Sequence, residues 1–351
     1  MIASGRDLRW SGQTVVGEGT WFSSIFQQPI DEDWLTAIAA QDGTLYAFTR
    51  RRIYAIAGEA PSDNGASGGL GPPRRLACDV GCIDPRSVVV TSAGIFFRSE
   101  RGIELLNRGG SVVWVGEPVR STLASYPVMT SAVLDSRNNL VRFTLAESEA
   151  DGYAFGNSRT LVFDLAIGSW ISVDKIAANT AQDAAIVCYA GVWRYAFVTS
   201  DGYVYVERLA SDQEAYLDGR ASGTWITMAA ETAWFKAGGL QGKQILSHVL
   251  LLARKHTDLK LKLSLAYNYE QGFRSARAWS NVEISGLLNA GWPITQLKHE
   301  AHNDAPCQAV RIRIEDAPDG VMSSGKGSTW IGLTLDIVPK PGVFDVPTEA
   351  T

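Results

Sequence analysis

The chain reads as short apolar runs cut by turn residues. Leu45–Phe48 follows Asp42-Gly43, and Ile53–Ile56 follows the cationic Arg50-Arg51-Arg52. Asp-Gly between apolar runs is a hairpin signal, because both central residues of that turn need a positive φ. The unit recurs as Ser87–Thr91, Ile95–Phe97, Ile103–Leu106 and Val112–Val115, with turns at Ala93-Gly94, Arg101-Gly102 and Gly109-Gly110. Ser131–Leu134, Leu140–Leu145, Thr160–Asp164 and Trp170–Val173 repeat it, and so do Ala185–Tyr189, Trp193–Val198 and Tyr203–Glu207. These meanders begin near Ala37, Val88, Ala132 and Ala185. Recurrence at about 40–50 residues marks propeller blades, because a lone meander leaves faces uncovered and stacked blades cover them. A sandwich or barrel uses the same meanders, but a propeller is the expectation, either small, incomplete or completed by the N-terminal segment.

Helices are expected to be few. Glu117–Ala124 reads as one or two turns with Pro118 at a tolerated first-turn position, and Ser211–Glu214 fits a capping box. Beyond Asp218-Gly219 the strands lengthen, over Ile245–Leu252, Leu259–Tyr269, Ala309–Glu315 and Thr329–Val338. Leu259–Leu265 alternates strictly, which puts Lys260, Lys262 and Ser264 outward. Val310, Ile312 and Ile314 alternate with Arg311, Arg313 and Glu315 in the same way. The fold class expected is therefore all-β, with β-propeller-like meanders followed by a β-sandwich. The expected divisions are an N-terminal segment 1–34, a propeller-like domain 35–218, a sandwich 219–340 and an extended tail 341–351.

Composition narrows the function. The 351 residues are 46% hydrophobic and 20% charged, which excludes wholesale disorder, and a net charge of −5 excludes a polybasic nucleic-acid coat. Residues 1–20 carry Arg6, Asp7, Arg9 and Glu18 and lack the apolar core of a signal peptide, so a reducing cytoplasm is expected. Four cysteines are too few for a disulfide scaffold, and Cys78 and Cys82 are expected as buried or half-buried thiols.

The motifs that carry chemistry are weak. Gly320, Gly325 and Lys326 have P-loop spacing, but Gly327 stands where Ser or Thr should hold magnesium, and Thr329–Leu333 reads as a strand rather than a helix. His299 and His302 are spaced three apart, not the four that zinc ligands sharing a helical face require. Asp31-Glu32-Asp33 and Glu147, Glu149 and Asp151 are acidic clusters without a calcium-loop pattern. No catalytic residue, cofactor or metal is expected, although a two-carboxylate glycosidase stays open because its spacing on a propeller is invisible in sequence. Arg50, Arg51, Arg52, Arg74 and Arg75 are candidate interface residues, paired with acids such as Asp31 and Asp33.

Taken in order, Leu35–Gly58, Cys78–Ser87, Gly94–Glu117, Thr130–Phe143, Thr160–Trp170 and Cys307–Asp316 resemble the tail nozzle, or tail-stabilisation, proteins of short-tailed bacteriophages. The resemblance implies a non-enzymatic virion protein assembled in the bacterial host cytoplasm. It implies a homo-oligomeric ring, usually of six copies, below the tail adaptor. Such a ring contacts other tail proteins and lines or closes the channel through which genomic DNA passes without sequence-specific binding. The alternative is a carbohydrate-binding or carbohydrate-active propeller with a sandwich binding module.

Overall fold

The computed structural model describes residues 2–11, 16–17, 19, 22–30, 33–59, 69–150, 152–176, 180–208, 217–218, 224–225, 227–238, 242–256, 258–286, 295–301, 306–318 and 327–340. Strands occupy 64% and helices 6% of the described residues, so the protein is all-β. The chain divides into two compact units, Met1–Glu207 and Arg208–Thr351.

The first unit is a succession of five antiparallel meanders. The first sheet is Ile2–Ser4, Asp7–Ser11 and Phe22–Pro29, and the second is Leu35–Gln41, Thr44–Thr49 and Ile53–Glu59 with two short strands paired onto the last. The third is Val89–Val90, Gly94–Ser99, Gly102–Asn107 and Val112–Trp114. The fourth is Val128–Asp135, Leu140–Ala150, Tyr153–Asp164 and Ser169–Ile176, and the fifth is Ala181–Tyr189, Val192–Thr199 and Val204–Val206. The leading strands of successive sheets lie side by side from the first sheet to the fifth, as blades do around an axis. Among the described residues no comparable contact joins the fifth sheet back to the first, so the arc is open.

The turns follow from local chemistry. Asp42 and Gly43 take φ of 51° and 74° and close the hairpin that joins Leu35–Gln41 to Thr44–Thr49. Continuous apolar runs mark strands buried on both faces. In Gly94–Ser99, Ile95 and Phe97 face the second sheet, with Phe97 5.2 Å from Phe48 between ring centroids. Phe96 faces the fourth sheet, 6.0 Å from Phe143 and 5.2 Å from Phe163. Each such fully buried phenyl stabilises by about 1.5–3 kcal/mol relative to exposure. Trp170 closes this core edge-on to Phe163 and donates its indole N–H to the Val115 carbonyl at 2.7 Å. The segment before the first expected blade also packs as a sheet, with Leu8 and Ile30 against Ala47, Tyr54 and Ile56.

The second unit carries two main sheets. One is ordered Ala229–Glu231, Val310–Pro318, Leu259–Tyr267, Arg274–Trp279, and the other Thr295–Glu300, Lys243–Lys255, Ser328–Lys340. Leu261, Leu263 and Ile312 from the first share one core with Val249, Leu251 and Leu297 from the second, which is a sandwich. The alternation read in Val310–Glu315 holds, and Lys260 and Lys262 are exposed.

Ser264 corrects the sequence reading, because it is buried. It stands opposite Arg313, and Ala266 opposite Arg311, on the outer face. Arg311 lies over the rings of Trp234 and Phe273 at 5.0 and 4.4 Å, and Arg313 reaches Phe273 at 5.9 Å. This aromatic and guanidinium layer roofs the end of the strand that should have met water.

A helix was also missed at Asn281–Gly286. The Ser280 N–H donates to Glu283 at 2.8 Å and the Glu283 N–H to the Ser280 hydroxyl at 3.3 Å, a reciprocal capping box. The expected box at Ser211–Glu214 and the tail 341–351 lie outside the described residues. No helix among the described residues is long and apolar enough to cross a membrane.

Candidate interface and cleft

The five candidate arginines gather on the second sheet, at the start of Ile53–Glu59. Arg50 to Arg52 lead into that strand, while Arg74 and Arg75 pair opposite Ala55 and Tyr54. Arg50 meets Glu100 at 2.7 Å, and this bond, with Arg51 nearby, holds the Glu100 carboxyl below its ordinary range. Arg75 lies 3.7 Å from Asp79. Arg51 and Arg74 are exposed. Asp33 accepts the Trp34 N–H at 2.8 Å, and Asp31 lies outside the described residues.

The acidic cluster is engaged locally. Glu149 takes a two-pronged bond from Arg86 at 3.0 and 3.1 Å, and Glu147 accepts from Asn157 at 2.8 Å. Both carboxyls are held below the ordinary range, mainly by those bonds. Asp151 lies outside the described residues. His299 sits in a strand opposite Val249, while His302 and Gly320–Lys326 lie outside the described residues. Cys78 is half-buried and Cys82 buried, as the sequence reading expected. Burial pushes Cys82 up to about 11. Among the described residues no three His, Cys, Asp or Glu cluster as metal ligands.

The fifth sheet differs from the others in what it packs against. Arg142 projects from the fourth sheet, 2.8 Å from Glu207 and 3.9 Å from Asp135, with its guanidinium 4.7 Å from the Tyr195 ring centroid. The Tyr195 hydroxyl bonds Thr144 at 2.7 Å, and burial pushes the phenol above its ordinary value. The Gln182 amide both accepts from and donates to the Ala154 backbone, at 2.8 and 2.7 Å. Polar groups thus hold the last sheet, where phenyl rings hold the third to its neighbours.

The opposite face of the fifth sheet is largely apolar. The register aligns Val187, Tyr189, Val192, Val198, Val204 and Val206 on that face, together with Asp183 and with Arg194, whose guanidinium lies 5.7 Å from the Tyr189 ring centroid. Tyr189 is 59% and Val204 67% exposed. Among the described residues of the first unit no further sheet stacks there. A contiguous exposed apolar face marks an interaction surface.

A second feature is a cleft of about 580 Å³ at the third sheet. Arg98, Arg101, Arg120 and Trp114 line it together with Leu123 and Pro127. Sequence reading missed it, because its wall joins a hairpin turn, a short strand and a short helix.

No family model and no curated protein matches the chain. Solved structures with a similar fold are β-propellers. The Dos1 propeller is 13% identical at a TM-score of 0.32, covering 51% of this chain and 46% of its own, so this chain spans under half of it. An exo-1,5-α-L-arabinanase from a bovine ruminal metagenomic library is 11% identical at a TM-score of 0.28, covering 57% and 92%. An exo-β-1,3-galactanase from Phanerochaete chrysosporium is 10% identical at 0.25, covering 94% and 100%. Glycoside hydrolases among these matches overturn the expectation that the chain is not an enzyme. At such TM-scores the likeness carries no catalytic residue or substrate over to this chain.

Proposed function

We propose that the chain is a structural virion protein of a short-tailed phage, one subunit of a homo-oligomeric nozzle ring, of six copies, that lines or closes the DNA exit channel below the tail adaptor. The observation that carries this reading is the largely apolar face of the fifth sheet, with Tyr189 and Val204 exposed and, among the described residues of the first unit, no further sheet on it. A blade face of that kind is covered when another protein surface docks on it. The ordered sequence resemblance supplies the partner class: further copies of this chain, with other tail proteins above and below. Native mass measurement tests the reading. A mass at a multiple of the 38.0 kDa chain is expected, and a stable monomer at micromolar concentration overturns it.

A second reading, a carbohydrate-binding or carbohydrate-active propeller, is favoured by the cleft, whose Trp114 and arginines offer a sugar ring both an aromatic wall and hydrogen-bond donors. Saturable binding or hydrolysis of an oligosaccharide by a monomeric chain favours it over the ring.

A further inference from the structure

We propose that the cleft at the third sheet is a binding site for a small carboxylate attached to an apolar body. The proposal is independent of the ring reading and gives the cleft a ligand other than a neutral sugar. It stands on what the cleft's polar groups lack. Arg101 is matched, because its Nε and Nη2 meet the fully buried Glu104 at 2.9 and 3.1 Å, and Ser99 also donates to that carboxylate at 2.9 Å. Glu100, the other acid at the rim, is taken by Arg50. Arg98 is half-buried and donates to a neutral acceptor, the Pro127 carbonyl. Burial pushes its guanidinium below the ordinary value. Arg120 is exposed, and its guanidinium has no hydrogen bond or ion pair among the described residues. Of the three guanidiniums lining the cleft, Arg120 has no carboxylate partner among the described residues and Arg98 bonds none, although Asp84 acts on its charge.

The indole of Trp114 adds a third donor. Its Nε1 is buried and has no acceptor. It lies over Gly102, where an added Cβ would stand 3.2 Å from it, so glycine leaves room for the indole at the edge of the cleft. A buried donor without a partner is unfavourable, and an acceptor oxygen that reaches it by a small shift of the cleft wall removes that cost. A carboxylate has two such oxygens and matches the planar fork of a guanidinium. Leu123, Ala124 and Pro127 form the apolar wall, which fixes the other half of the ligand's chemistry. The volume, about 580 Å³, is in the range that holds small organic ligands.

Benzoate and its neutral near-isostere benzamide separate charge from shape. Calorimetric titration of the full chain is expected to show benzoate bound about tenfold or more tightly than benzamide. Arg120→Gln, at an exposed site that leaves the fold intact, is expected to remove that preference and leave benzamide unchanged. Trp114→Phe is expected to weaken benzoate while keeping the ring. Inorganic phosphate is expected to compete only weakly, since it has no apolar body. The proposal is overturned by equal affinity for benzoate and benzamide, by an Arg120→Gln variant that binds benzoate as before, or by phosphate bound more tightly than benzoate. Absence of saturable benzoate binding up to about 10 mM overturns it as well.

Discussion

Arg142 shows how a single side chain can determine an interface. It is 11% exposed and Asp135 8%, and the two stand with Glu207 and Tyr195 between the fourth and fifth sheets. Removing one partner of a buried ion pair leaves the other charge uncompensated, which costs about 3–5 kcal/mol. Arg142→Met is expected to lower stability by that order in urea unfolding, whereas Arg51→Met, at an exposed site, is expected to change it by less than about 0.5 kcal/mol. The buried titratable groups predict a pH dependence. Cys82 is raised from 9.0 to about 11, and Tyr195 is raised from 10.0, both chiefly by desolvation. The unfolded chain therefore releases these protons at lower pH than the folded one. Their contribution is complete below about pH 9 and is lost as pH rises toward 11, so the melting temperature is expected to fall across that window. For the same reason Cys82 stays protonated at pH 8. A thiol-specific reagent is expected to label the exposed Cys188 in the native protein and Cys82 only after unfolding.

Hairpin turns were the most legible elements, because glycine and its neighbours have a steric reason to be where they are. Two glycines separate the reasons. Gly43 has φ 74° and nothing within 4 Å of an added Cβ, so its constraint is conformational alone. Gly94 has φ 150°, and a Cβ there would stand 2.2 Å from the Leu106 carbonyl oxygen on the paired strand. Gly43→Ala is expected to cost about 1–2 kcal/mol, and Gly94→Ala distinctly more, in the same unfolding assay. Strand faces were only half legible. The alternation of Val141, Phe143 and Leu145 with Arg142 and Thr144 identifies a strand, yet it reads as one face in water. The polar face is in fact covered by the fifth sheet, and polar residues give no sign of burial when their partners come from distant strands. Ser264 was misread for the same reason, since its cover comes from Arg311 and Arg313 on the neighbouring strand. The cleft left no trace, because Arg98–Arg101 reads as an ordinary charged turn until Trp114 and Arg120 are placed beside it.

For the whole molecule, the ring reading predicts that charge follows function. A duplex carries one charge per about 1.7 Å of axis, and each phosphate held by Lys or Arg adds salt-dependent affinity. With a chain net charge of −5, acidic residues are expected to outnumber basic ones along the lumen of the assembled ring. A structure of the ring with Lys and Arg in the majority there contradicts it. Tyr189→Glu with Val204→Glu is expected to yield a folded monomer by light scattering, because both side chains lie on the unstacked face. The polar joint behind that face has a consequence for motion. Separating the second, third and fourth sheets exposes phenyl rings to water, whereas lifting the fifth exposes mainly hydroxyls, an amide and charges that water solvates well. The fifth sheet is therefore expected to open more readily than the others. Its amide protons are expected to exchange with deuterium well before those of Gly94–Ser99, and Arg142→Met is expected to hasten that exchange further.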